Sequence, residues 1–492
     1  MEKNERRAAL ALSVLCSVLA LTVATTSSPL YATNFWTDSN LYFTIGRGML
    51  EGLMPYRDLF DHKGPLIFLL YALGALVSDT SFFGVFLLEA ASLAAMLFFA
   101  QRTVALYGRG RLTLAAIPLT AVVTVCATAF NQGGSAEEFC LPALSLALYC
   151  ALRRMREGEA CRRPARLYAA FGAAMGWVFS IKYTDCGLFF GLGLALLLYD
   201  VRVRGVRRAI ASGLWMLLGM AAVVLPIGAY LAVSGVLDNM IQVYFIQNIF
   251  GYGEASMSLS AHVYNALAYL RTQSAANPAV AGLAVAGCAF AAAHALLRRE
   301  KGFLLEAAAV QLGAGLLLLF CYWGEMAHPY YALVFAALAP LGMIPLGVLA
   351  GKVRPRLAGA LCAAGVLTIA PLCQCLCAAV PLQGVKRADM AQTVFAGIMN
   401  EEENPTLLDL TSLDQGFYLA AGITPSCRYF ANNNLNTREK REALDEYLAQ
   451  GRTMFVVSRW EDPGEHYALI AEHTSPFDLN DMRAYKLYRR VE

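Results

Sequence analysis

Between Phe35 and Leu66 the chain runs FWTDSNLYFTIGRGMLEGLMPYRDLFDHKGPL, a Gly-punctuated stretch carrying Asp38, Arg47, Glu51, Arg57, Asp58, Asp61, His62 and Lys63. Carboxylates can take a proton from a reacting hydroxyl, and Lys, Arg and His can hold a developing anion. Only 15% of the chain is charged, so this density asks for a reason beyond solubility. A solvated surface loop is the plain alternative, but connections of this length without their own structure are usually functional or disordered.

The elements that must hold these groups are strongly apolar. Apolar residues make up 58% of the 492, mean hydropathy is +0.50, and several runs approach the ~20 residues needed to cross a bilayer core. The expected class is a polytopic α-helical membrane protein. Basic residues cluster between the runs: Lys3, Arg6 and Arg7; Arg102, Arg109 and Arg111; Arg153, Arg154, Arg156, Arg162, Arg163 and Arg166; Arg202, Arg204, Arg207 and Arg208; Arg298, Arg299 and Lys301; Lys352, Arg354 and Arg356. All six clusters can lie in the cytoplasm at once under the positive-inside rule. About eleven spans then follow, near 8–28, 82–101, 112–130, 139–152, 167–182, 186–200, 209–232, 277–297, 303–322, 330–350 and 357–380, with the N-terminus inside and the C-terminus outside. Residues 65–78 are too short for a span and read as a re-entrant or interfacial helix within a first outer loop, 29–81. Residues 1–28 read as an uncleaved signal anchor.

The thirteen cysteines lie mostly in apolar segments, where a thiol packs as a small hydrophobe. In the run Cys373, Cys375, Cys377 the middle residue points away from the other two on a helix, and no nearby His completes a ligand set, so no metal site is assigned. From 381 to 492 the composition becomes that of a small soluble α/β domain. Strands are expected at Leu407–Leu410, Met454–Ser458 and Ala484–Val491, with a capped helix over Thr437–Gly451. Cys427 is the only cysteine there, which excludes an internal disulfide. No phosphate-binding Gly fingerprint or catalytic triad pattern occurs in it.

This topology sorts the ionisable groups. Asp38, Asp58, Asp61 and His62 share the outer side with Glu137 and Glu138 in NQGGSAEEF, Lys182 and Asp185 in SIKYTDCG, and Glu325 and His328 in CYWGEMAHPYY. Four separate connections can thus converge on one polar cavity, and an ionisable group at the end of an apolar helix usually has a partner or a ligand.

The order of these motifs resembles the GT-C glycosyltransferases, in particular the bacterial branch related to aminoarabinose transferases and protein O-mannosyltransferases. The resemblance rests on a basic N-terminus and first helix, Asp38 with Tyr42, then Asp61 to Pro65 (DHKGP), Asn131 to Leu141, Ile181 to Thr184, His328 to Tyr331, and Gly416 to Phe430. It spans nearly the whole chain and implies a transmembrane catalytic domain over 1–380. The implied activity is inverting transfer of a sugar from a polyprenyl-phosphate donor to a hydroxyl of a glycolipid, wall polymer or protein, outside the plasma membrane. It implies Asp38 as general base, and Lys63, then Lys182 and His328, as cations for the leaving phosphate. Tyr42, Asp61, His62, Glu137, Glu138 and Tyr331 are the implied substrate contacts, with Glu137 and Glu138 open to a purely structural reading. Ser39 and Leu41 stand where relatives carry Glu and Arg, and Gly64 where a Pro is common; Arg47 or Arg57 is the expected replacement cation. No resident cofactor is assigned, a divalent metal is left open, and no nucleic-acid partner is implied. A polytopic transporter or lipid flippase is the rival class, although Glu89 is almost its only mid-membrane acid.

Overall fold

The computed structural model describes residues 3–250, 258–298, 301–324, 328–432, 435, 437–476 and 482–491. Helices form where the apolar runs are, because a helix alone satisfies its own backbone in a membrane. The first nine are α1 (Lys3–Ala24), α2 (Thr37–Leu50), α3 (Pro65–Val77), α4 (Phe83–Val104), α5 (Ala116–Val125), α6 (Ala136–Glu157), α7 (Pro164–Ile181), α8 (Gly187–Arg204) and α9 (Val206–Val233), followed by further helices to Leu376. By length and apolarity seven of the described helices can cross a membrane, or eight if Leu259–Ala276 and Pro278–Ala293, bent by 118°, count as one span.

The expected eleven spans are more than this, for local reasons. The 112–130 run is divided among a 3-10 turn at Arg111–Ala115, the ten-residue α5 and a second 3-10 turn at Thr128–Phe130. In α6 the apolar centre is flanked by Glu137 and Glu138 at one end and Arg153, Arg154, Arg156 and Glu157 at the other. Pro164, Arg166, Tyr168, Gly172, Gly176 and Ser180 lower the hydropathy of α7. Helix α3, as expected, is a 13-residue apolar helix too short to span.

Helices α7 and α9 cross at backbone contact: a Cβ on Gly172 would stand 1.8 Å from the Met216 carbonyl oxygen, and one on Gly219 would stand 2.0 Å from that of Ala169. Small residues at the crossing permit this approach. One end of the bundle is tied by a buried polar network. Arg154 Nη2 donates to Asp200 Oδ1 at 2.7 Å, while Tyr168 and Ser212 each donate to Oδ2 at 2.6 Å, joining α6, α7, α8 and α9. Arg154 and Asp200 are 1% and 0% exposed. Removing one member of such a pair strands a buried charge, so Arg154→Leu should cost about 3–5 kcal/mol and be visible as a lowered melting temperature in detergent. Unchanged melting would show that the network contributes nothing. Arg204 joins it through Asp200 at 3.6 Å, while Arg102, Arg153 and Arg156 make separate pairs with Tyr149, Glu157 and Glu306.

The last part of the chain folds as a four-stranded sheet of order β1-β2-β4-β3, with β1 (Leu407–Asp409), β2 (Phe455–Ser458), β3 (Tyr467–Pro476) and β4 (Met482–Arg490). β1 and β2 pair in parallel and are buried throughout, with Asp409 and Ser458 as their buried polar ends. The capped helix is present at Arg438–Ala449, with Thr437 accepting from the Lys440 amide. β3 was not expected from sequence; it is an edge strand that is largely exposed and broken by a bulge at Leu469/Ala471.

This sheet unit sits on the first loop. Thr44 donates to Asp414 Oδ2 at 2.6 Å, the Phe60 amide to the Arg428 carbonyl at 2.9 Å, and Thr424 to Glu51 at 2.5 Å. Arg57 pairs with Asp58 in solvent. Glu51, Arg57 and Asp58 therefore serve docking and the surface. Burial lifts Asp409 to about 7, helped by Asp414, and lifts Asp414 to about 6. Each group binds its proton more tightly folded than unfolded, so its stabilisation is full below about pH 4 and lost as pH rises through 6 to 7. Asp414→Asn can keep the bonds to Thr44 and to the Gly416 amide, which lies 2.7 Å from Oδ1. It should raise the melting temperature at pH 8 relative to wild type while changing little at pH 5, and a uniform loss at both pH values would contradict the assignment.

Candidate active site

Asp38 lies in the first turn of α2, where the helix dipole favours a carboxylate, and is 6% exposed. The DHKG segment approaches it in an extended stretch that is fixed on several sides. The Tyr56 hydroxyl donates to the Lys63 carbonyl at 2.8 Å, Asn248 Nδ2 to the His62 carbonyl at 2.7 Å, and the Gly64 amide to the Ile181 carbonyl at 3.0 Å. Tyr56 adopts φ +71°, sterically costly for a bulky residue and tolerated here because its ring is buried. Gly64 is required by proximity: a Cβ there would stand 2.3 Å from the Ser180 carbonyl oxygen. That explains why this chain has no Pro after the lysine. Gly64→Ala should push Lys63 off the end of α7 and lower turnover by at least tenfold while the protein still folds; wild-type turnover would show that Lys63 needs no such placement.

Four connections do converge. Lys182 Nζ lies 2.5 Å from Glu137 Oε1, 4.0 Å from Asp185 Oδ1 and 3.4 Å from the centroid of the Tyr331 ring. Tyr330 stands edge-on to Trp36 at 5.2 Å and stacks on His328 at 5.3 Å. Lys63 Nζ is 3.5 Å from His62 Nε2, and His62 Nδ1 is 3.3 Å from Asp61 Oδ1. Glu325 lies outside the described residues.

The electrostatics divide the carboxylates. Burial raises Asp38 above the ordinary aspartate value, against the opposing pull of Lys63. Burial alone would also raise Asp61, but His62 and Lys63 hold it below its ordinary value. Burial, with Lys63, keeps His62 below its usual range, and burial does the same for His328 against the pull of Asp38. Both histidines are thus held toward the neutral, hydrogen-bonding form.

Several expected contacts are placed differently. Arg47 is nine residues beyond Asp38 on α2, about 13 Å along the axis and half a turn round it, and its field acts on Asp414; it is not brought to this cluster. Arg57 is in solvent. Glu138 turns back into its own loop, accepting from the Gly134 amide at 2.8 Å, so it shapes the connection. Glu89, the acid a transporter would use, accepts from Thr25 at 3.0 Å and 3.1 Å. Tyr42 is buried four residues from Asp38, in its field. Sequence reasoning missed Trp36, Tyr330 and Asn248. HPYY contains Tyr330, but no spacing marks Asn248.

A cavity of about 600 Å³ opens beside this cluster. Lys63, Lys182 and Asn248 line its polar part, and Ile249, Phe250 and Trp323 its apolar part. Among the described residues, the one grouping of three metal-capable side chains is Cys126, Cys373 and Cys377.

The helical bundle and its C-terminal sheet have a fold like that of two solved ArnT structures. Two solved structures of ArnT from Cupriavidus metallidurans align with it, one in the apo state (TM-score 0.63, 14% identity, 98% of both chains) and one bound to undecaprenyl phosphate (0.62, 13%, 99% of this chain and 98% of that one). The Archaeoglobus fulgidus oligosaccharyltransferase in complex with Zn and sulfate aligns at TM-score 0.50 and 14% identity, over 91% of this chain and 68% of its own. No protein-family model matches the sequence, and neither does any curated protein.

Proposed function

We propose that this chain is a membrane glycosyltransferase that moves a sugar from a polyprenyl-phosphate donor to a cell-envelope hydroxyl, inverting the anomeric centre. The observation that carries the reading is the cavity that Lys63 and Lys182 line together with the apolar Ile249, Phe250, Phe320 and Trp323. That pairing suits a phosphate attached to an isoprenoid chain. The ArnT structure with undecaprenyl phosphate supports the donor class.

In this reading the ionised Asp38 accepts the proton of the acceptor hydroxyl as its oxygen attacks the anomeric carbon from the face opposite the phosphate. The bond to the phosphate oxygen breaks, and Lys63 holds the charge that develops there. Lys182 is already bound to Glu137, so it contributes less as a free cation and more by fixing Tyr331 and the cavity wall. His328 and Tyr330 orient donor or acceptor beside Asp38.

The domains follow the same reading: 1–380 catalytic, 381–492 a sheet unit closing on the first loop. With the basic clusters in the cytoplasm, the site and the C-terminus are extracytoplasmic. A cysteine placed at exposed Arg57 should react with an impermeant maleimide in intact cells; reaction only after permeabilisation would invert the topology. The activity is tested by incubating the purified protein with a panel of polyprenyl-phosphate sugars and an envelope extract and measuring lipid-phosphate release. Release from one donor class is expected, and release from none would remove the reading.

A further inference from the structure

Helix α5 ends at Val125, with Cys126 as its C-cap, and the last long apolar helix, Pro355–Leu376, ends with Cys377 as its C-cap. Cys373 and Cys377 are four residues apart and share a face; Cys375 is exposed and points elsewhere. The fold brings Cys126 to that face from about 250 residues away in sequence, a neighbour no local spacing reveals. The three sulfurs lie within 4.8 Å of one another, with Cys126 and Cys377 at 3.8 Å.

From this geometry we propose that Cys126, Cys373 and Cys377 bind a thiophilic divalent cation of the zinc class. Two sulfurs on an ion at ~2.3 Å in a tetrahedral arrangement stand about 3.8 Å apart, the separation found here. A disulfide needs ~2.05 Å and leaves the third thiol without a role. An all-sulfur donor set selects soft ions over magnesium or calcium. Cys373 is 0% and Cys377 5% exposed, whereas Cys126 is half-buried and provides the way in. All three thiols give up their protons to solvent as the ion binds, and water completes the tetrahedron. Cys377 Sγ, 3.4 Å from the Val125 carbonyl, exchanges that contact for the metal.

The position gives the site a consequence. Beyond Cys377 the chain leaves the bundle, and Ala379, Leu382 and Met390 pack on Tyr31 and Phe35 at the start of the first loop. An ion here pins the last bundle helix to α5 where the C-terminal sheet unit is rooted.

Full-length protein purified with zinc and desalted should retain close to one zinc per chain, and Cys375→Ser should retain the same. Cys373→Ser and Cys126→Ser should lose the ion and melt at lower temperature. Should those variants fail to fold, cobalt(II) added to wild type and Cys375→Ser should give a thiolate charge-transfer band in the near ultraviolet. Substoichiometric zinc with no cobalt band overturns the proposal. So does an intact mass two hydrogens light with a Cys126–Cys377 cross-linked peptide.

Discussion

Asp38→Asn should lower the single-turnover rate of sugar transfer by about 10²-fold or more, with expression, melting temperature and donor binding near wild type. Asparagine keeps the size and can occupy the same first-turn position of α2, but it cannot take a proton. Burial raises the Asp38 pKa despite Lys63, so the acid limb of kcat/KM for wild type should lie above the ordinary aspartate range: activity is lost as pH falls through the raised value, because only the ionised group accepts the proton. Asp38→Glu should recover little, since about one extra methylene displaces the oxygen from the line of attack. If Asp38→Asn turns over normally while Glu137→Gln is dead, the base is Glu137 and the second connection carries the chemistry.

The second large effect is expected at Lys63. Loss of a charge-assisted contact to phosphate costs about 2–3 kcal/mol, or roughly 30- to 150-fold, so Lys63→Ala should weaken donor use by that factor in kcat/KM. Lys63→Arg should not restore it, because a planar fork replaces a point charge and the Lys63 backbone is held by Tyr56 and flanked by Gly64 with no room to shift. Donor affinity and turnover unchanged in Lys63→Ala would transfer the phosphate role to Lys182.

Which parts were legible in sequence follows from the range of the interactions involved. Thr437 followed by an amphipathic run and Gly451 is a local signal, and the helix stands where it points. β1 and β2 are legible as buried apolar runs; β3 is not, because an exposed edge strand carries little periodicity. Asp38, Lys63, Lys182 and His328 could be grouped because they end apolar segments on one side, and the fold brings all four connections together. Finer assignments depend on helix rotation. Glu137 and Glu138 are indistinguishable as neighbours in a string, yet about 100° of turn sends one to Lys182 and the other to Gly134. Arg47 fails as the replacement cation through the same rotation, accumulated over nine residues. Asn248 and Cys126 reach their partners only through the tertiary fold, so no local pattern exposes them.

The central claim is transfer of the sugar away from its lipid phosphate. It is tested most directly in proteoliposomes containing a polyprenyl-phosphate sugar labelled in the sugar, with acceptor supplied on the side of the C-terminal sheet unit. The expected result is label on the acceptor and one lipid phosphate released per sugar transferred, in wild type and not in Asp38→Asn. Label that crosses the bilayer still joined to its lipid, equally in both proteins, would contradict the account and make the chain a transporter.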